Sequence, residues 1–513
     1  MKKDLKTGKV VEIKSTTVKR KTKRDNSTED NEVPVLKKEA KLESTRVFSI
    51  FTPRTSVQWR EFDSVLIGQH LTPKDEKILG RSMIAAFDLD DTLITINGSH
   101  KYPKDENDWK WLNTTVPKKI KQIYEEGYKV IIITNQGSLE SSKKTSEKRR
   151  KDFMNKIDHI ANNLNISFEI YVATARDKYR KPMIGIWTYI TQHGNEGVDI
   201  DIERSFYVGD AAGREENWKL NTPSDWNDTD RKFAENIGIK FYTPEEFFDN
   251  AKPAHYSYGD FNPKNLPRDV ELFIPDSSPL VPPDGHCEVV ISVGYPASGK
   301  STFAKKWLVN NGYVHVNQDS LKTKAKCIKT CEEALKEKKP VVIDNTNADV
   351  ESRKAYIGLA KKYNVPSRCF WFQASEALAK HNNMYRTFGV ANGPRPLPEI
   401  AFVAFKSRFI EPKSEEGFEE IKKINFIFEG SDDERRRWEM WFNDDSSLHG
   451  WAIRVLVFED FRAGNYESKT QGTDTFRQAG KPKRPQVHNE TPVCFTTQKS
   501  STAKNCELTT TLY

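Results

Sequence analysis

Eight short apolar runs, each ending in a polar residue, dominate the pattern of this sequence. Four come early, "MIAAFDLD", "YKVIIITN", "FEIYVAT" and "RSFYVGD", and four come later, "CEVVISVG", "YVHVNQD", "PVVIDNTN" and "SRCFWFQA". Nearly continuous apolar runs are typical of strands in a parallel sheet that is covered on both faces. Longer charged stretches with helical character separate the runs, and this alternation predicts an α/β fold.

The two series of runs indicate two α/β domains. At 513 residues the chain exceeds the size of an ordinary single core. A segment rich in proline and aspartate, "FIPDSSPLVPPDGHC", separates the two series. We therefore predict parallel-sheet domains over residues 46–272 and 287–443, joined by a linker over 273–286. Residues 1–45 are expected to be a disordered basic tail, and 444–513 a mostly disordered one.

Positive charge is concentrated at the start of the chain. The formal net charge is +8, and the first 45 residues hold 13 Lys and Arg against 8 Asp and Glu. The remainder is close to balance, so whole-chain charge does not indicate a nucleic-acid surface. Within the tail, "VKRKTKR" (18–24) is open to two interpretations, a nuclear address or weak phosphate-binding segment, and a merely solvated stretch.

The six cysteines include no Cys-x-x-Cys pair, which argues against a disulfide framework or a zinc ribbon. Cys327 and Cys331 are spaced to share one face of a helix, where packing is the expected role. Reduced thiols fit the cytosol or nucleus. The sequence has no apolar run long enough to cross a membrane and no signal-peptide pattern. We expect a soluble intracellular protein without a membrane partner.

Acidic residues crowd the end of the first run. "AAFDLDDTLI" places Asp88 and Asp90 where ligands bind in an open parallel sheet. Alone, these carboxylates would repel and one would take up a proton, whereas a shared Mg²⁺ would keep both ionised. With a phosphate bound, Asp88 can attack phosphorus and form an aspartyl phosphate. Asp90 can then protonate the leaving oxygen and later activate water.

The ends of the next three runs supply fitting partners. Thr134 and Asn135 offer hydrogen bonds to phosphate oxygens, and Lys181 in "YRKP" can offset negative charge on the phosphoryl group. Asp210 in "YVGDAAGR" can complete the metal site. An isolated Asp-x-Asp-x-Thr pattern also occurs in solvated acidic turns. Four polar residue types at successive strand ends favour a phosphatase site over such a turn.

The motifs "DLDDT", "TN", "RKP" and "GD" resemble those of haloacid-dehalogenase-type phosphatases. The longer stretches "YRKPMIGIW", "FYVGDAAGREENW" and "DRKFAENIGIKFYTPEEFF" are similar to the phosphatase domain of the polynucleotide kinase 3′-phosphatase family. The resemblance implies a haloacid-dehalogenase-like Rossmannoid domain with Asp88, Asp90 and Asp210 at the metal. It also implies that Asp225, or as a second choice Asp230, supports the metal shell.

The stretch "VGYPASGKST" fits the P-loop pattern completely. Its glycines allow backbone N–H groups to close around phosphate oxygens, while Lys300 reaches the β- and γ-phosphates and Ser301 ligates Mg²⁺. A strand-like run precedes the loop and a helix-like stretch follows it, as a P-loop NTPase-type domain requires. The predicted nucleotide-binding residues of this loop are Gly294, Tyr295, Pro296, Ala297, Ser298, Gly299, Lys300, Ser301 and Thr302.

Further candidates follow the later runs. Asp319 is the predicted base for an attacking hydroxyl, and Asp344 is a predicted Mg²⁺ residue that acts through water. Arg353 and Arg386 are each able to clamp phosphate, although a single arginine is more often a surface salt-bridge partner.

"GYPASGKSTF", "GYVHVNQDSL", "VVIDNTNADVESR" and "HNNMYR" resemble the kinase domain of the same family, in the same order. The resemblance covers about residues 80–443. It implies that 3′-phosphates are removed and 5′-hydroxyl DNA ends are phosphorylated, with ATP as donor and Mg²⁺ as cofactor. Asp319 would be the general base and Arg386 the lid arginine. Residues 1–45 are too few and too polar to form the forkhead-associated domain of vertebrate members, which puts recruitment through that domain in doubt.

The leading hypothesis is therefore a nuclear, bifunctional enzyme of DNA strand-break repair, acting with repair scaffold and ligase proteins. RNA end-healing is the enzymatic alternative, although no reader of the 2′-hydroxyl is recognisable. A non-catalytic scaffold is disfavoured because Asp88, Lys300 and Asp319 are all present. A small-metabolite phosphatase joined to a nucleotide kinase would act on free nucleotides without requiring a polynucleotide end.

Overall fold

In the computed structural model, residues 57–442 are described, except for Lys101, 141–145, Asp260, 284–285 and Ala391. The two predicted tails lie outside the described residues. The described chain folds into two lobes, each a largely parallel sheet with helices on both faces. The predicted α/β class is confirmed. All eight predicted apolar runs contain a strand.

The first lobe carries nine strands and five helices. Its strands are β1 (Val57–Phe62), β2 (Val65–His70), β3 (Ile84–Phe87), β4 (Ile94–Thr95), β5 (Lys110–Trp111), β6 (Lys129–Asn135), β7 (Phe168–Ala173), β8 (Phe206–Val208) and β9 (Lys240–Tyr242). Its helices are α1 (Val116–Glu125), α2 (Ser146–Leu164), α3 (Gly185–Tyr189), α4 (Thr229–Ile237) and α5 (Pro244–Asp249). Seven strands form one sheet in the order β1-β2-β7-β6-β3-β8-β9, and β4 and β5 pair separately.

The central strands of this sheet are buried on both faces. Ala85 and Phe87 of β3 pack in one core, whereas Ile84 and Ala86 pack in the other. The first core also contains side chains of α1, α2 and α5, and the second those of α3 and α4. The pairs from β7 to β9 are parallel, so their carboxyl ends meet at one edge. The polar residues that follow these strands are therefore brought together.

The second lobe carries six strands and seven helices. Its strands are β10 (Phe273–Ile274), β11 (Val289–Val293), β12 (Val314–Val316), β13 (Val341–Ile343), β14 (Ser367–Phe372) and β15 (Glu420–Ile424). Its helices are α6 (Lys300–Phe303), α7 (Gln318–Leu321), α8 (Lys324–Lys336), α9 (Val350–Lys362), α10 (Glu376–Met384), α11 (Glu399–Arg408) and α12 (Asp432–Trp438). The order is β10-β15-β14-β11-β13-β12, and only β10 among these strands runs antiparallel to its neighbour.

The cysteines of the second lobe are packing residues. Cys327 and Cys331 lie on α8 and are fully buried against β11 and β13 in the same apolar core, as their spacing predicts. Cys287 and Cys369 are likewise free thiols in the described part of the chain. None of the described helices combines the length and apolar character that crossing a bilayer requires.

The predicted linker packs on the second lobe. Its first residues, Phe273 and Ile274, pair with β15, and the Nζ of Lys422 donates to the carbonyl oxygens of Pro275 (2.8 Å) and Ser278 (2.7 Å). Residues 57–442 all belong to one compact unit. The exact domain limits that the sequence suggests stay predictions.

A short strap, residues 439–442, ties the lobes together. Asn236 of α4 accepts from the backbone N–H of Trp441 (2.7 Å) through Oδ1 and donates to the Trp441 carbonyl (2.8 Å) through Nδ2. The same Nδ2 donates to the Pro182 carbonyl at 2.9 Å. The indole Nε1 of Trp441 donates to Glu235 at 3.1 Å. The strap thereby joins the end of α12 to the first lobe.

Candidate active sites

Three carboxylates converge at the carboxyl edge of the first sheet. Asp88 follows β3, Asp210 lies two residues beyond β8, and Asp230 lies in the first turn of α4. One oxygen of each lies within 4.8 Å of the others. Asp230 reaches this position because residue 209 is glycine, since a Cβ there would lie 2.4 Å from Asp230 Oδ2. The three residues are the acidic cluster of the first site.

Lys181 supplies the positive charge of this site. Its Nζ donates to Asp88 Oδ1 (2.6 Å), to the Tyr207 hydroxyl (2.8 Å) and to the Ile133 carbonyl (2.9 Å). It also lies 2.7 Å from Asp230 Oδ1. Burial lowers the pKa of Lys181, but Asp230 and Asp88 outweigh burial and the pKa is raised. The ammonium group is therefore charged at neutral pH and fixed beside the predicted nucleophile.

The acidic cluster holds more negative charge than Lys181 balances. Burial raises the pKa of Asp88 to about 7 despite Lys181, and repulsion from Asp230 contributes. The pKa of Asp210 is also raised well above its usual range, by burial and by Asp88. A divalent cation would remove this excess, and grouped carboxylate oxygens are the donor set that Mg²⁺ prefers. The residues present therefore fit Mg²⁺.

Thr92 is a site residue that the sequence prediction left out. It is buried, and its Oγ1 lies 3.0 Å from Asp210 Oδ1, to which it donates. The same hydroxyl oxygen accepts from the Asp210 backbone N–H at 3.0 Å. Thr92 thus fixes the orientation of Asp210. Thr92 is the final residue of the motif "DLDDT", so its position in the motif could have indicated a role in the site.

Asp90 lies at the rim of the first site. Its side chain is half-exposed and lies outside the acidic cluster, where Asp230 is the third carboxylate. Gln136 Nε2 donates to Asp90 Oδ2 (2.6 Å) and to Thr134 Oγ1 (3.0 Å). Lys156 Nζ lies 3.5 Å from Asp90 Oδ1. An exposed carboxylate held in this way can exchange protons with a leaving group, and both predicted roles of Asp90, acid and metal ligand, stay predictions.

Asn135 and Asp225 have structural partners. Asn135 exchanges two hydrogen bonds with the Lys181 backbone, at 3.0 and 3.1 Å, and so positions the lysine. Asp225 pairs with Arg214 at 2.8 Å, and Arg214 also binds Glu245 at 2.6 Å. The expected order of preference is therefore reversed, because Asp230 and not Asp225 belongs to the acidic cluster.

The P-loop lies between β11 and α6 in the second lobe. Gly299 adopts a φ of +97°, which suits glycine, and a Cβ on Gly294 would lie 2.9 Å from Phe372 Cβ. The Nζ of Lys300 donates to the Gly294 carbonyl (2.9 Å) and to Ser298 Oγ (3.2 Å), and also to the Tyr295 carbonyl. Pro296, Ala297 and Thr302 complete the loop and the first turn of α6. The lysine amine therefore lies within the loop.

Ser301 and Asp344 meet beside this lysine. Asp344 follows β13 and accepts hydrogen bonds from His315 Nε2 (2.8 Å) and from Ser301. Burial raises the pKa of Asp344, but these two hydrogen bonds outweigh it and the pKa is lowered. Burial lowers the pKa of Lys300 to about 8, against the opposing effect of Asp344. An ionised aspartate beside a hydroxyl fits Mg²⁺. His315, which orients Asp344, was missed although it lies in a quoted run.

Asp319, exposed on α7, and Arg386, on the π-helical turn Tyr385–Gly389, are close enough to interact electrostatically. Arg386 Nη2 donates to Asn383 Oδ1 at 3.0 Å, while its buried Nε has no hydrogen-bond partner among the described residues. Burial lowers the pKa of Arg386, and the nearby Asp319 opposes this shift. A buried donor without a partner is costly, so Arg386 retains capacity to bind an anion.

A cavity of about 340 Å³ opens beside the P-loop. Phe303, Tyr385, Phe428 and Trp438 supply apolar surface, and Arg386 lies at its wall. Apolar walls next to a phosphate-binding loop suit the base and sugar of a nucleotide. Residues 297–302 of the predicted nucleotide-binding set and Arg386 line this cavity together.

Arg353 does not take the predicted role of a phosphate clamp. Its side chain is completely buried and binds Glu416 through Nε (2.7 Å) and Nη2 (2.6 Å). Nη1 donates to three carbonyl oxygens, including that of Ile410 at 3.0 Å. All three guanidinium nitrogens are hydrogen-bonded and the side chain is inaccessible, so Arg353 joins α9 to the chain after α11.

Known proteins resemble this chain over both lobes. The family model described as "Polynucleotide kinase 3 phosphatase" matches residues 83–248, and an AAA domain model matches residues 289–412. A bifunctional polynucleotide phosphatase/kinase of Schizosaccharomyces pombe is 39% identical over 393 residues, covering 76% of this chain and 89% of that protein. This chain belongs to the family of bifunctional polynucleotide phosphatase/kinases. The first lobe is therefore its phosphatase lobe, and the second its kinase lobe.

Two further relatives cover different parts of the chain. A protein of Acanthamoeba polyphaga mimivirus is 36% identical over 407 residues, 75% of this chain and 94% of its own length. A polynucleotide 3′-phosphatase of Arabidopsis thaliana is 29% identical over 205 residues, 37% of this chain and 27% of its own. The predicted family and the predicted pairing of phosphatase and kinase domains are confirmed.

Proposed function

We propose that this enzyme removes 3′-phosphates from broken DNA strands and phosphorylates their 5′-hydroxyl ends with ATP. One observation carries the proposal, namely that two sites equipped for phosphoryl transfer lie in a single compact unit. The two reactions act on opposite ends of the same break. Together they leave the 3′-hydroxyl and 5′-phosphate that a ligase joins.

In the phosphatase lobe, Asp88 acts as the nucleophile. Its carboxylate attacks phosphorus, the bond to the 3′-oxygen breaks, and Asp90 donates the proton that this oxygen takes up. Asp90 then removes a proton from water, which attacks the aspartyl phosphate and releases inorganic phosphate. Lys181, 2.6 Å from Asp88, stabilises the negative charge that develops on the phosphoryl oxygens. Thr134 donates a hydrogen bond to those oxygens.

In the kinase lobe, Asp319 accepts the proton of the 5′-hydroxyl as its oxygen attacks the γ-phosphorus of ATP. The P-loop amides and Lys300 bind the phosphates, and Arg386 stabilises negative charge during transfer. Mg²⁺, held by the acidic cluster in one lobe and by Ser301 with Asp344 in the other, would offset phosphate charge at each site.

The deciding experiment uses the full chain, MgCl₂, ATP and a labelled gapped duplex with 3′-phosphate and 5′-hydroxyl ends. Conversion of both DNA ends is expected, and chelation of Mg²⁺ should stop both reactions. A matched RNA strand is expected to react more slowly. Faster reaction on RNA would instead support RNA end-healing. Failure on both polymers, with phosphate released from small metabolites, would refute the polynucleotide substrate.

Nuclear location, and action together with repair scaffold and ligase proteins, complete the proposal. The basic segment 18–24, "VKRKTKR", supports nuclear import, because clusters of this kind are import signals. A fluorescent fusion of the full chain should concentrate in the nucleus, and replacing the basic residues of this segment should abolish that accumulation. A fusion that stays cytosolic in both forms would refute the assignment.

A further inference from the structure

A second cavity, of about 480 Å³, lies between the phosphatase and kinase lobes. This volume is within the range of about 300–1,000 Å³ usual for small-molecule sites. The phosphatase-lobe wall is formed by β1, α3 and the segment before α3. The kinase-lobe wall is formed by the turn after α10 and by the strap. It is separate from the acidic cluster and from the cavity beside the P-loop. We name it the interlobe pocket.

Aromatic rings line the interlobe pocket from both lobes. The phosphatase lobe contributes Phe62, Tyr179 and Tyr189, and the kinase lobe contributes Phe388 and Phe442. The Phe62 ring, which is 38% exposed, lies 4.6 Å from the Tyr189 ring and 6.0 Å from the Tyr179 ring, between centroids. Tyr189 and Phe388 are half-buried, whereas Tyr179 and Phe442 are buried. The rings that offer surface for stacking are therefore Phe62, Tyr189 and Phe388.

Polar tethers hold two of these rings in place. The Tyr179 hydroxyl donates to Asp63 Oδ2 at 2.6 Å, and the Tyr189 hydroxyl accepts from Arg60 Nη1 at 2.6 Å. The Arg60 guanidinium also lies over the Tyr189 ring, 5.5 Å from its centroid. Rings fixed in this way lose little further freedom when a ligand binds, which favours affinity.

Cationic side chains line the interlobe pocket, and beside it Asp63 Oδ2 lies 4.0 Å from the Nζ of Lys178. Lys178 and Arg437 line the pocket, together with His193, and none of the described lining residues is acidic. Arg437 is exposed, so its charge is available to a ligand. Cations beside stacking surfaces form the combination that binds single-stranded nucleic acid. An apolar peptide segment would gain nothing from these cations.

The pocket also borders the segments that carry both catalytic centres. Tyr179 precedes Lys181 by two residues, and Phe388 follows Arg386 by two residues. Phe62 lies at the turn between β1 and β2, and β2 begins opposite the last residue of β7. This turn is at the same sheet edge as the acidic cluster. A strand engaged at either site is therefore close to the pocket.

We propose that the interlobe pocket binds an unpaired nucleobase of the DNA strand being processed. The base stacks between rings of the two lobes, while Lys178 and Arg437 contact the flanking phosphates. This inference rests on the proposed function, since it assigns a substrate subsite to the same enzyme.

The test is a base-removal scan on the full chain. A set of 3′-phosphorylated single-stranded DNA 10-mers, each lacking one base, is assayed for release of inorganic phosphate. In the wild type, removing the base that occupies the pocket should raise KM about 5- to 100-fold, the range that corresponds to one stacked base. kcat should change by less than about twofold.

Two variants then locate the effect. Phe388→Ala removes a ring on the kinase side, and Thr188→Trp fills the pocket from α3, with neither change touching the acidic cluster. In both, the complete 10-mer should show the raised KM, and the position dependence should vanish. Ile400→Ala, on the 62% exposed Ile400 of the kinase lobe, is the matched control and should behave as wild type.

A fluorescence measurement reports base stacking directly, so that loss of stacking is distinguished from misfolding of a variant. 2-Aminopurine placed at the sensitive position should be quenched by the wild type and much less by Phe388→Ala. A position effect that survives unchanged in both variants would overturn the subsite, as would a wild type that shows no position effect while releasing phosphate normally. In both results the proposed function stands. Absence of phosphate release from every 10-mer would instead overturn the proposed function and the subsite with it.

Discussion

Four of the cations discussed above, three buried and one half-buried, differ in the partners that they bind. Lys181 binds two carboxylates of the phosphatase site, whereas Arg353 binds Glu416 and is completely buried. Lys300 is bound by carbonyl and hydroxyl oxygens of its own loop, and Arg386 retains a buried Nε without a partner. Because unused or weakly used donors are the ones that can bind a phosphate, Lys300 and Arg386 are suited to ligand binding. Arg353 is suited to stabilising the fold.

The first prediction separates the two activities. Asp88→Asn removes the proposed nucleophile and should lower 3′-phosphatase activity at least about 10³-fold, while 5′-kinase activity stays within about twofold. Lys300→Met should do the reverse, because it removes the P-loop cation and leaves the acidic cluster intact. Both activities are measured on one preparation of each variant. Loss of both activities in either variant, with unchanged melting temperature, would contradict the two-site model.

The second prediction contrasts two arginines of the kinase lobe. Arg386→Ala should lower kinase activity about 10²- to 10³-fold, since a cation facing the transferred phosphate is lost. The free energy of unfolding should change little. Arg353→Met should instead destabilise the fold by about 3–5 kcal/mol, because Glu416 is left buried and unpaired. Denaturant unfolding and kinase assays on both variants check this. Equal loss of stability in the two variants would contradict it.

Strand-end residues were predictable from the sequence, but distant partners were not. Asp88, Lys181 and Asp210 meet because parallel strands end at one edge, and a strand pattern is enough to indicate this. Asp230 comes from a helix, and its approach depends on the missing Cβ of Gly209. The burial of Arg353 depends on Glu416, 63 residues away. Contacts of this kind carry no local pattern.

At the level of elements, all eight apolar runs were recognisable because burial on both faces demands a continuous apolar sequence. The hairpin of β1 and β2 was missed. β1 lies at the sheet edge and is mostly half-exposed, so its sequence "VQWREF" lacks such a run. Short strands such as β10 form because they pair with a neighbouring strand. A two-residue sequence does not reveal that partner.

The third prediction concerns the contact between α10 and the end of α12. His381 of α10 is buried and its Nε2 donates to the Trp438 carbonyl at 2.7 Å. Burial lowers the pKa of His381 to about 4, the Trp438 carbonyl opposes this shift, and Lys232 adds to it. The folded form therefore resists protonation. This contribution to stability is present above the unfolded pKa of about 6.5 and is lost as pH falls from 6.5 towards 4.

Lowering the pH from 7 to 5 should reduce the free energy of unfolding by about 2 kcal/mol through this histidine alone. His381→Gln keeps a donor for the Trp438 carbonyl but does not titrate. Its free energy of unfolding should therefore fall by about 2 kcal/mol less than that of the wild type over the same interval. Urea unfolding of both proteins at the two pH values is the measurement. Parallel losses in the two proteins would show that His381 is not the titrating group.

At the scale of the whole molecule, a chain of contacts runs from one catalytic site to the other. Asp230 begins α4 in the acidic cluster, and Asn236 near the end of α4 binds both Pro182 and the strap. The strap follows Trp438, whose indole donates to Asn382 at 2.8 Å. Asn382 lines the cavity beside the P-loop. The lobes are thus joined through the same elements that position their catalytic residues.

The fourth prediction is that the lobes unfold together through this strap. The wild type should show one calorimetric unfolding transition. Saturating ADP with Mg²⁺ should raise the midpoint temperature of the whole transition, because ligand at about 100 times its Kd adds about 2.7 kcal/mol to the free energy of unfolding. Trp441 is 3% exposed and packs on Tyr258, with ring centroids 4.7 Å apart. Trp441→Ala should remove about 3–5 kcal/mol from the interface.

In Trp441→Ala the transition should split in two, and ADP should raise the midpoint temperature of only the transition that belongs to the kinase lobe. Ile400→Ala, an exposed change away from the strap, is the control and should keep a single transition. A single transition in Trp441→Ala that ADP raises as a whole would show that other contacts couple the lobes. Two transitions already present in the wild type would show that the strap does not couple them, because each lobe would then unfold independently with all of its contacts intact.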